Sequence, residues 1–534
     1  MSGEKKVDAV IIGAGISGMY QLHKLRKIGL TVKVYEGGTG VGGTWYWNRY
    51  PGARFDSESV SYGYSFSEEL LQEWNWKERF SPQPDNLEYL EYVADKFDLR
   101  KDIQFSTRVT SAHYGEEENE WSVATDDGQA IKCQFLITAV GVLSTPFVPE
   151  IKGLNSFQGA SWHTANWPEE HVGFEGKKVG VIGTGATAVQ LIQEVAKTAG
   201  QLTVFQRTAN FCKPLGNSLI SDDEQEEIKK NYSKIFQRCR ETFGSFLADF
   251  EKRSAFDVTP EEREARYEEL WNEPGFGFWL GTYEDILTDP KANETQAEFA
   301  RKKIRSRVND PKVAEMLCPT SHPIGTKRMP LETGYYEVYN QPNVELVDIK
   351  ATPIEVVTES SLKTTQTEYE FDMLILATGF DTVTGSLDRI DIRGSNGVSL
   401  KEKWVDGPRT YLGMGSSGFP NLFTLVGPHN GATFCNIPRC IEQNVEWVSD
   451  CIEHMTKNDI RRIEPNKDAE DRWTEHVQDV ATGSLLTKTD SWFMGANIPG
   501  KPRQMYLYAG GSPLYRKTCD DVASNNYEGY TLQK

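Results

Sequence analysis

The stretch VDAVIIGAGISGMYQLHKLRKIGLTVKVYE, Val7–Glu36, decides the fold of this 534-residue chain. Val7 to Ile12 is a continuous apolar run, the pattern of a parallel strand buried on both faces. Gly13, Gly15 and Gly18 then form G-x-G-x-x-G. The first two allow a tight turn and the close approach of a pyrophosphate; the third lets the following helix pack on the strand. That helix offers its free N–H groups and positive dipole end to the pyrophosphate. Gly29 ends the helix, and Thr31 to Tyr35 is the next strand. Glu36 closes the unit 18 residues after Gly18, where a carboxylate accepts hydrogen bonds from a ribose 2′-OH.

The unit recurs in KKVGVIGTGATAVQLIQEVAKTAGQLTVFQR, Lys177–Arg207, with Gly183, Gly185 and Ala188 as G-x-G-x-x-A. The first glycines and the strand-end residues, Glu36 and Gln206, both stand 170 residues apart. A neutral residue followed by Arg207 replaces the acid, which suits a 2′-phosphate. The first site therefore favours FAD or NAD and the second NADP. A lone G-x-G-x-x-G arises by chance in roughly one chain of this glycine content in three. Gly38/Gly40/Gly43 and Gly413/Gly415/Gly418 are such matches, and neither follows an apolar strand and opens a helix, so both read as loops. Two further apolar runs, FLITAVG (135–141) and MLILATGFD (373–381), end in small residues and read as the closing strands of two nested dinucleotide domains.

Bulk properties narrow the class. A net charge of −19 disfavours nucleic acid as a partner. A mean hydropathy of −0.52 and the lack of any apolar run near the roughly 20 residues that span a bilayer predict a soluble protein with no membrane association. The N-terminus enters strand-like sequence at once, so a cytoplasmic address is expected. The eight cysteines form no C-x-x-C pair. They read as isolated buried thiols, with neither a disulfide framework nor a metal site.

Between the two units lies FQGASWHTANWP, Phe157–Pro168, which fits F-x-G-x-x-x-H-x-x-x-W-P at every fixed position. With this run the chain resembles the Baeyer–Villiger monooxygenases of the cyclohexanone monooxygenase type, a class B flavoprotein family. The resemblance spans nearly the whole length. It extends to GGTWYWNRYPGARFDSES (42–59), GTKRMPLETGYYEVYN (325–340), PNLFTLVGP (420–428) and SWFMGANIPGK (491–501). It departs in detail at GTKRMP (325–330) and GPHNGATFCNIP (427–438), which leaves the implied chemistry intact and the substrate range open. It implies FAD and NADPH as cofactors, with a ketone, expected to be cyclic, and O2 as substrates. In the implied reaction a C4a-peroxyflavin adds to the carbonyl, and the tetrahedral Criegee intermediate rearranges to a lactone or ester.

A peroxyanion and then an alkoxide need a fixed cation in a site closed to water, which a guanidinium supplies well. By resemblance Arg328 is that catalytic cation and Asp56 the acid that orients it. FAD contacts are implied at Gly13, Gly15, Ser17, Gly18, Glu36, Gly43, Thr44, Trp45, Asp56, Tyr62 and Val109. NADP contacts are implied at Gly183, Thr184, Gly185, Ala186, Thr187, Gln206, Arg207, Thr208, Lys327, Arg328 and Trp492. Leu143, Phe434, Ile437 and Trp492 are the expected substrate-pocket residues. His163 invites a base or metal role, but no ligand partner stands at useful spacing, and a packed joint between the domains is the better account.

The expected class is α/β, with two Rossmann-like dinucleotide domains and a helical insertion. Residues 1–142 form the first part of the FAD domain, 143–151 a linker, and 152–220 the first part of the NADP domain. Residues 221–330 are the insertion, 331–380 the second NADP part, and 381–534 the second FAD part with a mobile loop at 487–501. A monomer or small homo-oligomer is expected. Three alternatives remain open: an N- or S-oxygenating flavin monooxygenase, a flavin disulfide reductase (disfavoured without C-x-x-C), and a non-enzymatic nucleotide sensor.

Overall fold

A computed structural model describes residues 5–431 and 435–534. The opening strand β1 (Lys5–Ile12) runs into helix α1 (Ile16–Lys27) and back to β2 (Val32–Tyr35), which lies parallel to β1. The same sheet takes in β3 (Ile103–Gln104), an antiparallel excursion of β4 (Val109–Gly115) and β5 (Glu120–Thr125), and then β6 (Ala130–Thr138). β6 pairs parallel with β1 on the side away from β2. Apolar residues on both faces of β1 and β6 bury this sheet between two clusters.

The second sheet is wholly parallel. It comprises β7 (Ala160–His163), β8 (Lys178–Ile182), β9 (Gln201–Gln206), β10 (Val344–Asp348) and β11 (Met373–Leu376), in the order β10-β9-β8-β11-β7. Helix α2 (Ala186–Val195) follows β8. The chain then returns to the first sheet: β12 (Asp391–Arg393) pairs with β4, and β13 (Leu422–Thr424) with β6. Each sheet is thus assembled from segments far apart in sequence.

The 157–168 run supplies β7, the edge strand of the second sheet, with His163 opposite Leu376 of β11. The His163 ring is buried, stands edge-on to Phe380, and accepts at Nδ1 from the Ala165 amide at 3.1 Å. Burial holds its pKa below the usual histidine range, the state of a neutral packed ring. Trp167 packs on Trp162 and Phe174.

Between β9 and β10 the chain departs into helices α3 (Asp222–Glu241), α4 (Pro260–Asn272) and α5 (Pro290–Arg307). Ser221/Glu224 and Thr259/Glu262 form capping boxes that start the first two. Although it interrupts the second unit in sequence, this insertion packs Tyr267, Phe276, Phe278 and Phe299 into the same apolar cluster as the first sheet. Helix α6 (Ile437–Lys457) lies against α1. Among the described residues no helix is long and apolar enough to cross a membrane.

One expectation is corrected. Cys435 is joined to Cys440, with Cα atoms 6.6 Å apart, while the other six cysteines are free and buried. Cys440 lies in the first turn of α6, and the chain entering that helix carries Cys435 back over it. A five-residue spacing matches no disulfide or metal signature, so no sequence pattern hints at the link.

Candidate functional site

Both glycine turns are built alike. Gly13 has φ +105° and Gly183 φ +118°, a region open to glycine and costly for other residues. A side chain at Gly13 would collide with the Ala139 carbonyl, and one at Gly183 with the Ala377 carbonyl. Ala139 and Ala377 are the small residues just beyond β6 and β11. Gly15 and Gly185 cap α1 and α2 without any side-chain hydrogen bond, leaving the first-turn N–H groups free for a phosphate. Both turns therefore fit a dinucleotide pyrophosphate.

Around the first turn the sequence-assigned residues gather. Ser17 and Gly18 lie in the first turn of α1, and Gly43 packs on Gly15. Thr44 and Trp45 belong to the one-turn helix Thr44–Trp47. Trp45 donates its indole N–H to the Tyr62 hydroxyl at 3.0 Å, and Tyr62 stacks on Phe55 at 4.2 Å. Glu36 is buried and accepts from the amides of Ala14 and Gly38, at 2.8 and 2.7 Å. The Thr107 amide donates to the Glu36 carbonyl, which brings Val109, at the start of β4, alongside.

Around the second turn, Ala186 and Thr187 open α2, and Thr184 donates to the Thr208 carbonyl at 2.8 Å. Gln206 is buried and donates its amide to the Met316 carbonyl, whereas Arg207 is exposed. Burial first, and then the nearby Arg207 guanidinium, hold Lys327 below the usual lysine range; Asp490 pulls the other way. Two cations therefore stand close enough to repel one another beside the second turn, a charge arrangement that fits a phosphate.

Arg328 stands where the two units meet. Its Nη2 donates to Asp56 Oδ2 at 2.8 Å across 272 residues of sequence. Asp56 is 3% exposed and Arg328 38% exposed, so the acid is sealed and the cation faces outward from it. Burial pushes the Asp56 carboxyl up, while Arg328 and then Arg54 pull it back. The guanidinium lies over the Phe276 ring of the insertion, 5.9 Å from its centre, and Asn210 donates to the Arg328 carbonyl at 3.1 Å. Arg328 Nε is buried and has no acceptor among the described residues, while the guanidinium as a whole is partly exposed.

The 487–501 segment is folded over this region. Trp492 begins a short 3-10 turn, Trp492–Met494, and packs on Phe493. Thr489 bonds to Thr326, beside Lys327 and Arg328, at 2.8 Å. At the far end Lys501 bonds to Asp381 at 2.7 Å and to the Thr382 carbonyl, and Asn497 bonds to the Phe380 carbonyl. Ile437 and Trp492 border the large apolar cluster that contains Phe276 and Met329. Leu143 is half-buried on the chain leaving β6, and Phe434 lies outside the described residues.

Sequence reasoning missed Tyr50, Gln190, Asn210 and Phe276. Only Gln190 carried a signal: it and Gln193 interrupt an otherwise apolar buried helix face in AVQLIQEV.

Two phosphate-binding turns flanking a buried carboxylate and its arginine define a two-dinucleotide oxidoreductase. Comparison with known proteins narrows the class. Residues 4–214 match the flavin-binding monooxygenase-like family model. The chain is 47% identical to a 2-oxo-Delta(3)-4,5,5-trimethylcyclopentenylacetyl-CoA monooxygenase from Pseudomonas putida, covering 98% of each chain. It is 43% identical to a cyclohexanone 1,2-monooxygenase from Acinetobacter, over 100% of this chain and 98% of that one. The crystal structure of OTEMO in complex with FAD and NADP superposes with a TM-score of 0.96 at 47% identity, covering 99% and 100% of the two chains. The chain belongs to the Baeyer–Villiger monooxygenase family.

Proposed function

We propose that Arg328 is the catalytic cation of this enzyme and Asp56 the acid that aims it. The chain is an FAD- and NADPH-dependent monooxygenase that converts ketones to esters or lactones. Bound FAD, reduced by NADPH, supplies the oxygen-activating chemistry; the rest falls to the chain's own side chains. As oxygen adds to the ketone, negative charge passes from the attacking oxygen to the former carbonyl oxygen. A guanidinium already fixed by a sealed carboxylate meets that charge without reorganising. The 2.8 Å bond between a sealed Asp56 and a partly exposed Arg328 is the observation that carries this assignment.

The first turn, with Gly13, Gly15, Ser17, Gly18, Glu36, Gly43, Thr44, Trp45, Asp56, Tyr62 and Val109, holds FAD. The second, with Gly183, Thr184, Gly185, Ala186, Thr187, Gln206 and Thr208, holds NADP. Arg207 and Lys327 take its 2′-phosphate, and Trp492 closes over it with the 487–501 segment. The sheet formed before residue 143 and after 381 is then the FAD domain, and the parallel sheet the NADP domain. Leu143, Ile437 and Trp492 border the ketone. The enzyme works in the cytoplasm as a monomer or small homo-oligomer.

The test is direct. The yellow holoenzyme is given NADPH, O2 and a panel of cyclic, linear and aryl ketones, with amines and thioethers as further arms, and products are identified by mass spectrometry. Lactones or esters are expected. Hydrogen peroxide alone from every ketone, or oxygenation of only the amines and thioethers, would contradict the proposal.

A further inference from the structure

We infer that Gln190 is a positioning residue that ties the helix of the second dinucleotide turn to the Asp56–Arg328 pair. The inference rests on the role proposed above for that pair. Gln190 is one turn into α2, the helix whose N-terminus receives the second pyrophosphate, and is 8% exposed. Its Oε1 accepts from the Tyr50 hydroxyl at 2.8 Å. Its Nε2 donates to the Arg54 carbonyl at 3.0 Å and reaches Asp56 Oδ1 at 3.5 Å. Asp56 Oδ2 is taken by Arg328. The two carboxylate oxygens therefore answer to different parts of the molecule, Oδ1 to α2 and Oδ2 to the guanidinium.

The contact has no slack. A side chain at Gly52 would come within 2.7 Å of the Gln190 carbonyl, so residues 50–56 lie directly on the backbone of α2. A shift of α2 on seating a pyrophosphate is thus carried through Gln190 and Tyr50 to Asp56. From there a single bond passes it to the one fixed nitrogen of Arg328. A glutamine that merely filled space here would leave a buried amide unsatisfied, which costs more than an apolar residue of equal volume. Here both amide atoms are bonded. The sequence AVQLIQEV places that amide on a helix face that is otherwise apolar.

The test is a double-mutant cycle on the FAD-loaded full chain, with Gln190→Met, Asp56→Ala and the double variant. Two quantities are read: the NADP+ dissociation constant of the oxidised enzyme by flavin absorbance, and ester formed per NADPH against hydrogen peroxide. Gln190→Met is expected to retain FAD, to weaken NADP+ about threefold and to lower ester per NADPH about tenfold, the scale of a small misplacement of a reacting group. In the Asp56→Ala background the same substitution should add less than about twofold, because its effect runs through Asp56.

Wild-type ester yield in Gln190→Met, or a loss that multiplies in full in the Asp56→Ala background, would overturn the inference. An Asp56→Ala variant with undiminished ester yield would sink the assignment of the pair itself, and the inference with it. Should Gln190→Met fail to fold, Gln190→Glu keeps the shape and the Tyr50 bond but loses the donor. The same loss of coupling is then expected, and its absence has the same meaning.

Discussion

The two dinucleotide units are copies in their backbones and diverge at the ends of their second strands. In each, the first glycine amide bonds across to the carbonyl of the residue just before the strand-end position, Gly13 to Tyr35 at 2.8 Å and Gly183 to Phe205 at 3.1 Å. In each, the small residue after the closing strand bonds back to the first strand, Ala139 to Ile12 and Ala377 to Ile182, both at 2.9 Å. The first unit then ends in Glu36, a buried carboxylate held by two backbone amides. The second ends in Gln206, turned aside to Met316, with Arg207 exposed and Lys327 close to it. One scaffold thus carries a closed acidic end and an open cationic one.

The sharpest break between the copies is the third glycine position. A methyl group on Gly18 would run into the Gly13 carbonyl, whereas Ala188 already stands at the matching place in the second unit. Gly18→Ala should yield protein that retains almost no FAD. Ala188→Gly should cost only about 1 kcal/mol of stability, the helix-propensity difference. Flavin absorbance and thermal melting read both, and a yellow Gly18→Ala variant would show that the units are less alike than their backbones.

Next in size is the cationic end. Arg207→Ala should weaken NADPH about 10- to 100-fold, the worth of a charge-assisted contact, and leave NADH nearly unchanged. Steady-state KM values for both coenzymes measure it; equal losses for NADPH and NADH would remove the 2′-phosphate from Arg207.

Lys327 adds a pH signature. Phosphate prefers the protonated amine, and the free enzyme holds that amine below the usual lysine range. As pH rises through this lowered value the proton is lost and must be regained on binding. NADPH affinity should therefore fall on the alkaline side by up to about tenfold per pH unit, beginning below the ordinary lysine pKa. Lys327→Arg should flatten the profile. An unchanged alkaline slope in that variant would acquit Lys327.

The smallest effect is expected at the fold-over segment. Lys501→Ala removes the bond to Asp381 at the far end of 487–501, while Thr489 still holds the near end to Thr326. NADP+ should dissociate about two- to threefold faster, within the range of a partly exposed ion pair. Stopped-flow displacement measures this, and an unchanged rate would show that the Thr489 and Asn497 bonds suffice to keep the segment down.

Most of the frame was legible because it obeys short-range rules. Strand, glycine turn and helix follow from apolar runs and from glycines that no other residue can replace, and the 170-residue offset revealed the copy. The 157–168 run reads in sequence as a joint between the domains; in the structure it supplies β7, an edge strand of the second sheet, with His163 buried and its pKa held down by burial. What sequence hid lies across large separations. Gln190 meets Asp56 from 134 residues away, and Phe276 reaches Arg328 from a helical insertion whose apolar core joins the opposite domain. The Cys435–Cys440 link was hidden for another reason, since its spacing acquires meaning only once the chain turns into α6.

On the proposed account the two ends bind the dinucleotides and the Asp56–Arg328 pair between them supports the oxygenation. Arg328→Ala, reduced anaerobically with NADPH and then mixed with O2 and a ketone, tests it most directly. The account predicts flavin reduction within a few-fold of wild type, ester formation down about 100- to 1,000-fold, and the lost equivalents recovered as hydrogen peroxide. Ester formation at the wild-type rate would contradict it.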